Sequence, residues 1–268
     1  MPSYICTTCG VGYAETDAPR EVCFICADDR QYVNAKGQRW TTLDQLSHDH
    51  VNEMREVEPG LLGLGSSPQV AIGQRALVIQ QAGGGVMWDC TPVITEAALG
   101  AIRAKGGVTA MAISHPHFYS TMIDWSRALG GVPIYLHEDN RDWVMRPDPA
   151  IQFWTGESKV IAEGISLIRT GGHFPGSTVL HWTQGAGGKG VLMTGDSIMV
   201  VPDTRWVSFM YSFPNLIPLN ARSVEAIVKS VRAYQFDRIY AGWWDRVLDH
   251  GAKTAVQRSA ERYIAAIR

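Results

Sequence analysis

The apolar residues of this chain fall into short runs punctuated by glycine. Gln69 to Ile72, Ala76 to Gln80 and Val86 to Trp88 are β-type runs with turn residues between them, which predicts three successive strands in an antiparallel sheet. Thr95 to Ala104 has helical spacing, and the continuous apolar run Val108-Thr109-Ala110-Met111-Ala112-Ile113 after it predicts a buried strand. Helix and strand then alternate. A helix is expected over Met122 to Leu129, strands over Val132 to Leu136, Ile165 to Arg169, Ser177 to Trp182 and Gly190 to Met193, a helix over Val224 to Tyr234, a strand over Arg238 to Ala241, and a closing helix over Ala252 to Ile267. Gln184 to Gly190 reads as a flexible hairpin loop, and no fixed-period repeat occurs. The pattern is that of an α/β protein with two sheets between helices.

The first 35 or so residues break this pattern, being polar, short of aliphatics and rich in cysteine. They cannot build an apolar core of their own. A small module at residues 1–40 followed by a main domain at 41–268 is therefore expected, the stretch from 36 to 60 reading as a connector with a short helix around Thr42 to Leu46.

With 268 residues, 46% of them hydrophobic, the chain can bury a large core. A formal charge of −2 gives no positive field to recruit nucleic acid or an anionic membrane, so neither is an expected partner. No stretch approaches the roughly 20 apolar residues of a membrane span, and Met1 to Cys6 lacks a basic segment followed by an apolar one. A cytoplasmic location is the expectation. Five cysteines, four in C-x-x-C pairs and Cys90 alone, suit metal binding in a reducing compartment better than a disulfide framework.

Cys6-Thr7-Thr8-Cys9-Gly10 and Cys23-Phe24-Ile25-Cys26 are two knuckles 13 residues apart. Four thiolates make a tetrahedral cage for zinc or iron, and Gly10 lets the backbone turn its amides toward the sulfurs. The alternative is buried free thiols or a redox dithiol. The knuckles resemble rubredoxin-type and zinc-ribbon modules, in which the bound ion supplies folding energy that a missing core cannot.

The strand Val108 to Ile113 leads into Ser114-His115-Pro116-His117-Phe118-Tyr119-Ser120. In an extended segment residues two apart face one side, so His115 and His117 can offer both imidazoles to one ion, with Pro116 stiffening the pair. Gly171-Gly172-His173-Phe174-Pro175-Gly176-Ser177 sets a third histidine in a glycine-rich turn, and Thr194-Gly195-Asp196 puts an aspartate just past another strand. These motifs, with the Met87-Trp88-Asp89 strand end, resemble in order those of the metallo-β-lactamase superfamily over about residues 56 to 268. The resemblance implies an αβ/βα four-layer sandwich that collects metal ligands from loops at one edge of two sheets.

The departures narrow what the resemblance implies. The family pattern H-x-H-x-D-H meets Tyr119 and Ser120 where its aspartate and last histidine stand, and no histidine occupies Ala241-Gly242-Trp243-Trp244-Asp245. What remains implied is one ion, zinc or iron, on His115, His117 and His173, with Asp196 as fourth ligand or proton acceptor and Tyr119 as a donor to a developing oxyanion. Three neutral imidazoles with an open position are the set that brings a zinc-bound water's pKa to about 7 in carbonic anhydrase. The implied activity is hydrolysis of an ester, thioester, lactone or related small acyl substrate. The rivals are an iron-dependent redox protein of rubredoxin plus metallo-β-lactamase type, and a non-catalytic zinc-binding scaffold.

His48 and His50 imitate a ligand pair but lie in the connector, and read as surface or interdomain residues. His137 is expected as a pocket residue, His181 and His250 as structural, and Cys90 as a buried thiol. Trp206, Phe209, Met210, Tyr211 and Phe213, with Trp243 and Trp244, read as core, with a pocket wall or a homodimer interface as the alternative.

Overall fold

The computed structural model describes residues 1–268, which divide into two compact units: residues 1–136 with 142–153, and residues 137–141 with 154–268.

In the first unit β1 (Ile5–Cys6) pairs antiparallel with β2 (Trp40–Thr41), closing the cysteine segment into a loop. Helix α1 (Leu43–Asp49) begins where the Thr42 side chain accepts a hydrogen bond from the Gln45 amide. Seven strands then form one sheet in sequence order: β3 (Val51–Glu58), β4 (Leu61–Ser67), β5 (Ala76–Ile79), β6 (Gly85–Trp88), β7 (Val108–Ala112), β8 (Ile134–His137) and β9 (Ile151–Trp154). The first four pair antiparallel, whereas β6, β7 and β8 are parallel neighbours. Parallel neighbours need crossovers, here α2 (Glu96–Ala104) and α3 (Met122–Ala128). Every residue of β5 and β6 is buried, which accounts for their unbroken apolar sequences.

Two expectations fail in this unit. Gln69 to Ile72 is not a strand, because left-handed backbone at Ala71 (φ 53°) and Gly73 (φ 73°) turns the chain there. The connector, in turn, contains strand β3, which forms one edge of the sheet. Its exposed Arg55 and Glu56 suit an edge and hide the apolar alternation that would have marked it.

The second unit opens with β10 (Ser158–Ala162), β11 (Ile165–Arg169), β12 (Thr178–Trp182) and β13 (Val191–Met193), paired antiparallel in that order. Residues 199–218 form two small pairs: β14 (Met199–Val200) with β15 (Val207–Ser208), and β16 (Met210–Ser212) with β17 (Ile217–Pro218). Strand β18 (Arg238–Tyr240) runs parallel to β13, and β19 (Val247–Leu248) completes the six-stranded sheet. Helices α4 (Ala221–Val231) and α5 (Ala252–Ala266) share a core with this sheet through Val224, Ile227, Val256, Ile168 and Leu192. No helix is long and apolar enough to cross a membrane.

Strands β5 and β6 approach so closely at Gly85 that a Cβ there would lie 1.8 Å from the Ile79 carbonyl oxygen. Gly85→Ala is expected to destabilise the protein by about 3 kcal/mol, since backbone rather than a flexible side chain must move. Gly83→Ala, left-handed but with open space around it, should cost about 1 kcal/mol. The two urea midpoints check the difference.

Candidate metal centre

The four knuckle cysteines converge. Their sulfurs all lie within 4.8 Å of one another, with Cys6 and Cys26 at 3.6 Å and Cys9 and Cys23 at 3.7 Å. Tetrahedral thiolates about 2.3 Å from zinc stand about 3.8 Å apart, so the donor set fits such an ion. The knuckles close as their motif requires: Gly10 takes φ 80° and donates its amide to the Cys6 carbonyl, and the Ala27 amide donates to Cys23. Hydrogen bonds between the crowded thiols set the balance of charge. Cys6 is driven below the ordinary thiol range by its bonds to Cys23 and Cys26, and Cys23 by its bond to Cys26; Cys9 is driven up by burial first, and Cys26 by its bond to Cys23. A divalent cation would replace the shared protons. Two further groups donate to the sulfurs: the Tyr13 hydroxyl to Cys23 at 3.3 Å and the Gln38 side-chain amide to Cys6 at 3.3 Å.

The histidine loop is built differently from its expected form. Asp89, with φ 56° just past β6, accepts a hydrogen bond from the Ser114 amide at 2.8 Å and so pins the exit of β7. His115 is extended, but Pro116–Phe118 is a 3₁₀ turn rather than a continuation of the strand, because proline at its first position favours helical backbone. The two imidazoles therefore meet across a turn, centroids 5.1 Å apart and planes at 69°. Ser114 Oγ lies 2.9 Å from His115 Nδ1; a proton on Nδ1 donated to that oxygen leaves Nε2 for an ion.

His173 follows β11 through Gly171 and Gly172, both left-handed, and a Cβ at Gly172 would lie 2.7 Å from Ile227 Cδ1. Its Nδ1 faces the carbonyls of Tyr211 (2.9 Å) and Met210 (3.3 Å). Carbonyls only accept, so Nδ1 carries the proton and Nε2 offers its lone pair, 3.7 Å from Asp196 Oδ2. Asp196 lies in the turn after β13, closed by the Ser197 amide on the Thr194 carbonyl. His115 and His117 are thus paired in the first unit and His173 and Asp196 in the second, and all four residues are at most 4% exposed.

The remaining candidates have other employment. His137 uses both ring nitrogens, toward the Gly156 carbonyl and the Asp139 amide, and His181 Nε2 is 2.7 Å from the Gln235 carbonyl. His48 and His50 turn Nδ1 to carbonyls one helical turn back, and His250 stands 3.8 Å from Asp237. Cys90 is fully buried, its thiol pushed up by that burial and donating to the Tyr119 carbonyl at 3.4 Å. Tyr119 is buried at the end of the 3₁₀ turn. Trp206 lies under the guanidinium groups of Arg258 and Arg262, and Phe213 is 5.9 Å from the His173 ring. Sequence reasoning missed Ser114, Tyr13 and Gln38. A hydroxyl directly before H-x-H was a readable signal for Ser114; the Tyr211 carbonyl, 38 residues from His173, had none.

No family model matches the chain. Solved metallo-β-lactamases share its fold. VMB-1 superposes with a TM-score of 0.61 at 15% identity, covering 81% of this chain and 98% of that one. DIM-1 gives 0.60 at 16% identity over 80% and 98%, and the mono-zinc form of FIM-1 from Pseudomonas aeruginosa gives 0.57 at 13% over 81% and 97%. A full-length relative is the Bacillus subtilis (strain 168) protein YmaE, 47% identical over 269 residues that span all of this chain and 97% of YmaE. The chain thus belongs to the family of YmaE, with the metallo-β-lactamase αβ/βα fold as its main body and a four-cysteine cluster near its N-terminus.

Proposed function

We propose that the protein is a metal-dependent hydrolase of a small activated acyl compound, an ester, thioester or lactone, working with one zinc ion on His115, His117, His173 and Asp196. The observation that carries this reading is two buried ligand pairs on the motif loops, His115 with His117 at 5.1 Å between ring centroids and His173 Nε2 with Asp196 Oδ2 at 3.7 Å. Such an ion supplies Lewis acidity toward a carbonyl oxygen and acidifies water for attack. The chain's own residues supply orientation and proton transfer. The Met210 and Tyr211 carbonyls fix the His173 tautomer, and Ser114 holds the His115 ring. Asp196 is suited to accept the proton of the attacking water or to complete the ligand set. Tyr119 is assigned the role of donor to the oxyanion. The positions of the family's second metal ligands carry Tyr119, Ser120 and no histidine within Ala241 to Asp245, which favours one ion over two. The mono-zinc form of FIM-1 gives a precedent for that stoichiometry on this fold. The four-cysteine cluster is assigned a second, structural zinc.

Metal analysis of protein purified without added metal tests this directly. Colourless protein with about two zinc ions per chain is expected; red, iron-loaded protein would favour redox chemistry, and zinc on the cysteines alone a scaffold. His117→Ala should remove about one ion and abolish hydrolysis of an activated thioester while leaving cooperative unfolding. Ser114→Ala, which only loosens the His115 ring, should weaken the histidine site for zinc by about tenfold, read by chelator competition. Unchanged affinity would remove Ser114 from the assignment.

A further inference from the structure

The cysteine knuckle and the histidine loop touch inside one compact unit, and the contact falls on the strained end of that loop. Ser120 has φ 44°, a left-handed conformation that is unfavourable for a non-glycine residue and persists only where surroundings enforce it. Its carbonyl accepts the Gly12 amide at 2.9 Å, and Gly12 itself bridges to Ile5 next to Cys6. Gly10, the glycine of the first knuckle, fits against the same loop: a Cβ there would lie 2.7 Å from Pro92 Cγ, 3.1 Å from Ala71 Cβ and 3.4 Å from Ser120 Oγ. From the other side Thr121 and Trp125 donate to the Thr91 carbonyl, next to Pro92, and Cys90 donates to Tyr119. Further along, Arg146 pairs with Asp124 at 2.8 Å and reaches Glu15 at 4.0 Å, and Phe24 of the second knuckle meets Trp143 at 5.2 Å.

We infer that the four-cysteine centre is the positioning device of the histidine loop: with its sulfurs gathered on an ion, the Gly10–Gly12 turn is rigid and holds Ser120, and with it the 3₁₀ turn carrying His115 and His117. Gly10 and Gly12 are positioning residues that touch no reacting group. The cysteine segment has few aliphatics with which to rigidify itself, so the stiffness of the turn depends on what the sulfurs share. The consequence for zinc at the histidine site rests on the function proposed above; the mechanical consequence for the loop does not.

The test uses the full-length chain and two readouts. Gly10→Ala introduces both left-handed strain and the clash with Pro92. Gly37→Ala introduces the same strain, at φ 80°, with nothing within 4 Å, and serves as the matched control. Hydrogen exchange of the segment from Ser114 to Trp125 should rise in Gly10→Ala, and in wild type after the cysteine ion is withdrawn, while β11 and β12 stay protected. Gly37→Ala should leave it unchanged. Zinc affinity of the histidine site, read by chelator competition, should fall about tenfold in Gly10→Ala, the scale of losing an outer support of a metal ligand, with the thiols still unreactive. Exchange in that segment identical among wild type, metal-withdrawn protein and both variants would overturn the inference. A rise in exchange together with no zinc at the histidine site of wild type would uphold it and refute the proposed hydrolase instead.

Discussion

Everything chemical in this protein depends on burying ionisable groups that water would otherwise solvate. Three imidazoles, a carboxylate and three of four knuckle thiols are each less than a tenth exposed. Such groups are tolerated where hydrogen bonds or an ion replace the lost water, and are otherwise costly. The chain supplies the replacement locally. Ser114 serves His115, two carbonyls of β16 serve His173, and Tyr13 and Gln38 serve the sulfurs.

That constraint explains where the unusual backbone lies. Asp89, Ser120, Gly171, Gly172 and Gly195 all take positive φ, and all stand in the loops that follow β6, β7, β11 and β13. The strands deliver these loops; the left-handed residues turn them so that polar side chains and backbone amides point inward. Asp89 shows the trade most clearly. It adopts φ 56° and uses its carboxylate to hold the Ser114 amide, so strain at the end of one strand fixes the exit of the next.

The N-terminal segment follows the same logic with less material. Its buried apolar side chains, Ile5, Val11, Tyr13 and Ile25, are few, and Ile5 shares its cluster with Leu46, Val70 and Val93 of later elements. A segment that borrows its apolar contacts and gathers four sulfurs can be ordered by one ion and one neighbour. The Gly12 amide on the Ser120 carbonyl joins that order to the loop bearing His115 and His117.

The sequence by itself determined the α/β class, most elements from α2 to α5, both cysteine knuckles and the histidine and aspartate motifs, because each leaves a local mark. Buried parallel strands read as continuous apolar runs, helices as 3.6-residue spacing, and ligand pairs as short fixed intervals. Strand β3 and the small pairs of residues 199–218 were hidden, since an exposed edge strand carries charge and strands of two or three residues carry no period. Only the tertiary structure decided that His115 and His117 meet across a 3₁₀ turn, that carbonyls of β16 set the His173 tautomer, and that a knuckle glycine lodges against Ser120. Each of these joins atoms through backbone geometry or across long stretches of chain, and hydrogen bonds to backbone groups, which every residue possesses, leave no trace in residue type.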